Sequence, residues 1–392
     1  DAVVNNGFAA QLDVPGFNYK PRRFVEAYEK LPQNIILGSE TASTVSSRGV
    51  YHLPSEKGVH GIDALLGAYM RHPDHQSSSY DTDYCPWSNI PDTDFAADED
   101  YPWMPGQFVW TGFDYLGEPT PYDTDSWPNH SSVFGIIDLA SIPKDRFWLY
   151  RSQWRKDSPT LHLVPHWTWP GHEGENIPVV AYSSFDKAEL FVNGISQGIA
   201  VKAAPSGVSA DPTHPAPIAS DTELMRRFRL IWPDVIYRSG ELKVVAYGPD
   251  GKPAAEQVVR TAGKPYALKL TPYTGPESVD GSTFPASDAP QTMVLKADGE
   301  QLCYLNVSVV DREGNTVPAD SRLVKVNVGG AGSFEAIANG DPTCLEPFQL
   351  PQMHLFSGQL TVIVRSGQLS GEMNVSVTAK GLRKASVTLR CE

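Results

Sequence analysis

Glu40 follows a short apolar run and is the best candidate in the sequence for a catalytic nucleophile. The run is Ile-Ile-Leu-Gly at residues 35–38, and the chain turns polar directly after it. A short uninterrupted apolar run is typical of a buried parallel strand, and an acid at the carboxyl end of such a strand points into the loop face. Barrel-shaped parallel sheets carry their chemistry on that face. The alternative interpretation is that Glu40 is a solvated loop acid or the partner of a nearby arginine.

Five further polar or aromatic side chains stand at or just beyond the ends of neighbouring strand-like runs. They are Asn18, Tyr19, Trp110, Asp114 and Glu118. A tyrosine hydroxyl can donate to a carboxylate and hold it ionised and oriented, while an indole face provides an apolar floor for a sugar ring. We therefore expect these residues to form a carbohydrate-binding site. Taken singly, the asparagine could cap a turn, the aromatic side chains could fill the mouth of the sheet, and Asp114 could pair with an arginine.

The chemistry that such a site supports is cleavage of a glycosidic bond with retention of configuration. This reaction needs two carboxyl groups about 5 to 5.5 Å apart, one to attack the anomeric carbon and one to protonate the leaving oxygen. Glu40 suits the first role. We predict neither a cofactor nor a metal for this site.

Strands and helices alternate over residues 1–157, which is the pattern of a parallel sheet or barrel. Pro21 opens a helix that repeats apolar residues at spacings of three and four, and Pro32 ends it. The stretch 72–105 is predicted to be a loop, and a loop of that length is usually functional. The predicted strands are 12–19, 35–38 and 107–115, and the predicted helices are 21–31, 61–70 and 143–154.

Short alternating strands with turn signals replace this pattern from residue 158 onward. Hairpin dipeptides at Asn193-Gly194 and Asp250-Gly251 support a β-sandwich over residues 158–262. A second sandwich is predicted over residues 263–392. The predicted strands are 178–182, 188–192, 228–232 and 242–247 in the first sandwich, and 292–296, 303–309, 324–328, 359–365 and 385–389 in the second.

The overall composition argues against two classes of partner. The 392 residues include 32 Lys and Arg against 46 Asp and Glu, which gives a formal net charge of −14. Nucleic acids and anionic membranes need basic patches, so neither is an expected partner. No run reaches the ~20 apolar residues of a membrane span, and the N-terminus lacks a signal region. We expect a periplasmic, cell-envelope or secreted protein if a leader has been removed, and a cytoplasmic protein otherwise.

The four cysteines are widely spaced, form no CxxC pair and have no histidine nearby at ligand spacing, which argues against a zinc site. They are Cys85, Cys303, Cys344 and Cys391. Cys303 and Cys391 both lie in strand-like runs. They could pair in an oxidising compartment, although two buried free thiols are the favoured state.

Four motifs together resemble glycoside hydrolase family 2, in particular its Bacteroides-type bacterial β-galactosidases. They are Gly-Phe-Asn-Tyr at 16–19, Ile-Leu-Gly-Ser-Glu-Thr-Ala-Ser at 36–43, Phe-Val-Trp-Thr-Gly-Phe-Asp-Tyr-Leu-Gly-Glu-Pro-Thr-Pro-Tyr at 108–122 and Pro-His-Trp-Thr-Trp-Pro-Gly at 165–171. The resemblance covers essentially the whole chain. It implies an α/β plus all-β chain, in which the C-terminal part of a (β/α)8 TIM barrel precedes two immunoglobulin-like sandwiches.

For the site, the resemblance implies a retaining β-glycosidase in which Glu40 is the nucleophile on the seventh barrel strand. Asn18 and Tyr19 would then end the sixth strand, and Trp110 would end the eighth. Tyr19 would orient the nucleophile, and Trp110 would help to shape the sugar site together with Asp114 and Glu118.

One feature of the family is missing from this sequence. The family's general acid is the glutamate of an Asn-Glu pair, and no Asn-Glu dipeptide occurs in residues 1–392. We therefore expect the C-terminal part of a longer β-galactosidase-like enzyme that is inactive without its N-terminal remainder. A β-glucuronidase or β-mannosidase of the same family is an alternative, and a homo-oligomer is left open.

The competing hypothesis is a non-catalytic carbohydrate-binding or interaction module. In that case the sandwiches would bind the sugar, with Trp167 and Trp169 as candidate aromatic contacts. The favoured interpretation of these two tryptophans is packing at the interface between the barrel part and the first sandwich.

Overall fold

The fold is that of a computed structural model, which describes residues 2–53, 62–66, 71–123, 127–205, 217–273 and 293–392. Five short strands lie in the first part of the chain. They are β1 (Gly16–Asn18), β2 (Leu37–Thr41), β3 (Thr44–Val45), β4 (Asp83–Tyr84) and β5 (Gln107–Val109). Strands β1, β2 and β5 form a parallel sheet in the order β1-β2-β5. Strands β3 and β4 pair antiparallel beside it. The three parallel strands do not close into a barrel within the described ranges.

Four α-helices accompany these strands. They are α1 (Ala2–Asn5), α2 (Phe24–Lys30), α3 (Pro91–Asp100) and α4 (Asp145–Trp154). A 3-10 turn, Pro21–Arg23, leads into α2, and Leu31 is extended because the next residue is a proline. Phe24 on α2 is 2% exposed and packs near Trp103 and Met104. Burying a phenylalanine in this way contributes about 1.5 to 3 kcal/mol.

Two of the predicted elements of this part need correction or comment. The stretch 72–105 is not a plain loop, because it contains both β4 and α3. Helix α3 has Pro91 at its first turn and acids at Asp92 and Asp94, which suit the positive end of a helix dipole. In the predicted helix 61–70 the described residues form a 3-10 turn, Ile62–Leu65, and the remainder lies outside the described residues.

The middle part of the chain contains two antiparallel sheets with a common core. The strands are β6 (Leu161–Val164), β7 (Val179–Ser183), β8 (Lys187–Val192), β9 (Ile195–Val201), β10 (Arg229–Trp232), β11 (Glu241–Tyr247) and β12 (Pro253–Arg260). The sheet orders are β10-β7-β6 and β12-β11-β8-β9. Helix α5 (Asp221–Phe228), which the sequence analysis did not predict, begins with a capping box between Ser220 and Glu223.

The last part of the chain also consists of two sheets around one apolar cluster. The strands are β13 (Ala267–Pro272), β14 (Val294–Leu295), β15 (Leu302–Val310), β16 (Leu323–Gly330), β17 (Gly332–Ala338), β18 (Gln352–His354), β19 (Gln359–Ser366), β20 (Gly371–Ala379) and β21 (Ala385–Cys391). The sheet orders are β13-β15-β19-β17 and β14-β21-β20-β16-β18. Cys303 and Cys391 are both buried free thiols here.

Buried ion pairs join the three parts. Arg229 on β10 binds the Asp92 carboxylate of α3, and both side chains are fully buried. Arg48 binds Asp138 at 2.6 Å and also donates to the carbonyl oxygens of Asn339 and Phe356 in the last part. Breaking a buried pair of this kind costs about 3 to 5 kcal/mol, so these contacts hold the parts in a fixed arrangement. None of the helices in the described ranges is both long and apolar enough for a membrane span.

Candidate active site

Glu40 and Tyr19 meet through the pairing of β1 with β2. Asn18 is the register partner of Glu40, and the Tyr19 backbone N–H donates to the Glu40 carbonyl oxygen at 2.6 Å. The Tyr19 hydroxyl then donates to Oε2 of Glu40 at 2.7 Å. Main chain and side chain together therefore fix the tyrosine against the carboxylate. The structure shows Glu40 held by a hydroxyl donor, and no arginine contacts its carboxylate within the described residues.

The local backbone explains why the tyrosine side chain turns toward β2. The register shifts between Phe17 and Asn18, and Tyr19 and Lys20 adopt φ values of 57° and 55°. Left-handed backbone is uncommon in non-glycine residues and is often found at functional sites. Two such residues in succession reverse the chain before Pro21 starts the next helix.

Tyr19 remains a proton donor throughout the neutral range. Burial raises the pKa of its hydroxyl well above the usual value, and the hydrogen bond to Glu40 and the negative charges of Glu40 and Glu118 raise it further. A phenol in this environment stays protonated, so its hydrogen bond to Glu40 persists in neutral solution.

Trp110 lies directly beyond β5 and next to the residue that follows Glu40. Its backbone N–H donates to the Thr41 carbonyl oxygen at 2.8 Å, and the peptide bond from Trp110 to Thr111 is cis. Its ring is half-buried and meets the Tyr115 ring edge to face, with 6.2 Å between centroids. Trp110 and Tyr115 both pack on the apolar cluster around Phe134.

Glu118 is exposed, and its carboxylate accepts a hydrogen bond from the Tyr115 hydroxyl. Burial raises the pKa of Tyr115, and the bond to Glu118 adds to this effect. The Tyr115 ring contacts Trp110, whose backbone N–H donates to Thr41, the residue after Glu40. Tyr115 is not among the predicted site residues. Its position three residues before Glu118, in a turn-forming segment, nevertheless favours a contact between the two side chains.

The other two predicted site residues, Asp114 and Asn18, make no side-chain hydrogen bond or ion pair with Glu40 within the described part of the chain. Asp114 is buried in an ion pair with Lys144 at 2.6 Å, and it accepts a hydrogen bond from the Gly135 backbone N–H at 2.7 Å. The structure therefore joins it to Lys144 rather than to Glu40. Asn18 is exposed at the end of β1 and accepts a hydrogen bond from the Ser39 hydroxyl at 2.8 Å.

The floor of the site contains a thiol that does not act as a nucleophile. Cys85 is fully buried beside Val45 and Phe134, and burial raises its pKa to about 12. Because the thiolate is the reactive form of cysteine, this side chain is inert at neutral pH.

Comparison with known proteins identifies the family of the chain. Residues 289–388 match the glycoside hydrolase family 2 C-terminal domain 5, and residues 174–255 match a domain of unknown function, DUF4982. The β-galactosidase BoGH2A of Bacteroides ovatus is 34% identical to this chain over 382 residues, which are 97% of this chain and 39% of that protein. The chain belongs to glycoside hydrolase family 2.

Two further proteins extend the comparison. A β-glucuronidase of Formosa agariphila is 25% identical over 257 residues, which cover 65% of this chain and 22% of that protein. A crystal structure of a β-glycosidase from Bacteroides vulgatus matches with a TM-score of 0.74 and 27% identity, over 97% of this chain and 45% of that one. The chain thus spans less than half the length of these relatives.

The tryptophans of the competing hypothesis do not form an exposed aromatic face. Trp167 is 0% exposed in the core of the middle part, and Trp169 is half-buried against His166 and Tyr51. Both contribute to packing between β6 and the first part of the chain.

Proposed function

We propose that this chain is the nucleophile-bearing part of a retaining β-glycosidase that hydrolyses terminal β-galactosides. The observation that carries the proposal is the hydrogen bond of 2.7 Å from the Tyr19 hydroxyl to Glu40 at the ends of adjacent parallel strands. An attacking carboxylate must be held in one orientation, because misplacing a reacting group by about 1 Å can cost about 100-fold in rate. Family 2 membership supports the hydrolase class.

In the proposed mechanism Glu40 attacks the anomeric carbon while the bond from that carbon to the leaving-group oxygen breaks and this oxygen takes up a proton. Water then hydrolyses the resulting glycosyl-enzyme intermediate and frees the Glu40 carboxylate. The Tyr19 hydroxyl holds one carboxylate oxygen, so that the other is free to attack. The half-buried Trp110 ring provides an apolar wall for the sugar ring. Exposed Glu118, oriented by Tyr115, accepts hydrogen bonds from sugar hydroxyls, and Asn18 contributes at the rim.

The proton donor of this mechanism is proposed to lie in the remainder of the enzyme. The sequence contains no Asn-Glu dipeptide, and the chain spans 39% of the length of its Bacteroides ovatus relative. On this view residues 1–157 supply the last three units of a (β/α)8 barrel, and residues 158–262 and 263–392 are immunoglobulin-like domains. The isolated chain should then be nearly inactive.

A galactoside is proposed over a glucuronide because of charge. The groups gathered at the site are two carboxylates and two tyrosine hydroxyls, from Glu40, Glu118, Tyr19 and Tyr115. A negatively charged sugar would be repelled by this set, whereas a neutral sugar can donate hydroxyl hydrogens to it. The relatives include enzymes named for either substrate, so this choice rests on the site rather than on similarity.

The proposal is tested by complementation with aryl glycosides. The chain is assayed alone and together with the N-terminal portion of a family 2 relative, on aryl β-galactoside and aryl β-glucuronide. We expect galactosidase turnover in the mixture alone, with loss of that turnover in Glu40→Gln. Turnover by the isolated chain would contradict the placement of the proton donor, and full activity of Glu40→Gln would contradict the role of Glu40.

A further inference from the structure

Two histidines and a buried aspartate meet beside the candidate active site. The residues are His52, His72 and Asp83, and one ligand atom from each lies within 4.8 Å of the other two. Asp83 belongs to β4, where it pairs with Val45 of β3, and Val45 is five positions beyond Glu40. The sequence does not reveal this group, because 20 and 11 positions separate its members.

The side chains are largely shielded from water. Exposure is 11% for the His52 side chain, 9% for His72 and 0% for Asp83. The two imidazole rings are stacked with 3.5 Å between centroids. His72 Nε2 lies 3.4 Å from Asp83 Oδ2, and His52 Nε2 lies 2.9 Å from Oδ2 of Asp74, a half-exposed carboxylate.

Two buried atoms of the group have no hydrogen-bond partner among the described residues. They are Oδ1 of Asp83 and Nδ1 of His52. The other Asp83 oxygen accepts only a 3.2 Å bond from the Ser78 backbone N–H in addition to the long contact with His72. Leaving a carboxylate buried and incompletely paired is costly, and a bound cation removes that cost.

We propose that His52, His72 and Asp83 bind a divalent transition-metal ion of the zinc class, with Asp74 or water as the fourth ligand. Imidazole nitrogen and carboxylate oxygen are ligands that zinc accepts in tetrahedral sites. Metal–ligand distances of about 2.0 to 2.2 Å place tetrahedral ligand atoms roughly 3.4 Å from one another. The observed separations, all within 4.8 Å, exceed this by about 1.4 Å at most, and rotation of one ring about its soft second side-chain torsion can close that gap.

The ion would brace the segments that surround the proposed sugar site. The His72 backbone N–H donates to the Tyr122 hydroxyl at 3.1 Å, and Tyr122 lies four residues beyond Glu118. Arg71 donates to the Pro121 carbonyl oxygen at 2.8 Å in the same segment. A metal at His72 and Asp83 would therefore fix the segment of Glu118 against β3 and β4. This structural role does not depend on the identity of the sugar.

Calorimetric titration of Zn²⁺ into the chelator-treated 392-residue chain tests the proposal. We expect one ion per chain and a rise in melting temperature on loading. His72→Ala should weaken binding by at least 100-fold, since loss of even an outer-shell partner costs about 10- to 100-fold. The matched control is His354→Gln, which removes another histidine–carboxylate pair, His354 with Glu346, and should leave binding unchanged.

A spectroscopic measurement covers the case in which the alanine variant does not fold. Co²⁺ bound to the unaltered chain should give the intense visible bands of a tetrahedral site without a thiolate charge-transfer band. Stoichiometric binding that is lost in His72→Ala, or this thiolate-free spectrum, supports the site. Absence of binding, equal binding in His72→Ala, or a thiolate band from a cysteine such as Cys344 would overturn it.

Discussion

Removing one hydroxyl group, in Tyr19→Phe, probes the contact on which the proposed mechanism depends. The phenyl ring keeps the packing of Tyr19, while Oε2 of Glu40 loses the donor that lies 2.7 Å away. A hydrogen bond to a charged group is worth about 1.5 to 3 kcal/mol. If that energy is realised mainly in the transition state, kcat/KM falls by about 10- to 100-fold.

The assay is the hydrolysis of an aryl β-galactoside by the complemented enzyme, with kcat and KM measured separately. The loss should fall on kcat, because the hydroxyl positions the nucleophile and does not bind the ground state. The matched control is Tyr115→Phe, which removes the corresponding hydroxyl from exposed Glu118 and should cost less than the Tyr19 variant. A Tyr19→Phe enzyme within twofold of the unaltered one, or a change confined to KM, would refute the reasoning.

Three further predictions concern stability. Asp114→Asn should lower the free energy of unfolding by about 3 kcal/mol in urea denaturation, because it leaves Lys144 buried without its charge partner; an unchanged midpoint would contradict this. Arg48→Ala should lower it by about 3 to 5 kcal/mol, because Asp138 is then buried unpaired, and a loss below 1 kcal/mol would be inconsistent with the observed contacts. Burial lowers the pKa of His166 to about 4, so between pH 6.5 and 4 the unfolded chain binds a proton that the folded chain does not. Stability should fall through that window as pH decreases, and His166→Gln should flatten the decline in melting temperature; an equal decline in both proteins would show that His166 is not responsible.

The elements that could be predicted are those whose sequence carries its own signal. The predicted strand 35–38 overlaps β2 (Leu37–Thr41), which begins within the apolar run and continues through Glu40, and Pro21 and Pro32 bracket α2. The sequence of helix α3 shows no apolar stripe that would predict a helix, because Asp92 and Asp94 are buried together with its apolar residues. The partner of Asp92 is Arg229, which lies 137 residues away. A pairing at that distance cannot be derived from local periodicity.

Some contacts of the candidate site could likewise be predicted from the sequence, and others could not. Tyr19 and Glu40 end adjacent parallel strands, so their proximity follows from strand order. The position of Asp114 depends on Lys144, which approaches it from the start of α4. The grouping of His52, His72 and Asp83 depends on segments that meet only in the folded chain.

Covalent labelling tests the role of Glu40 most directly. The complemented enzyme is inactivated with a 2-deoxy-2-fluoro-galactosyl fluoride, which forms a long-lived glycosyl-enzyme, and the labelled peptide is sequenced by mass spectrometry. We expect one fluorosugar per chain, attached to Glu40 in the peptide that contains residues 36–43. A label on Glu118 or on any other carboxylate, or full labelling of the Glu40→Gln variant, would contradict the account.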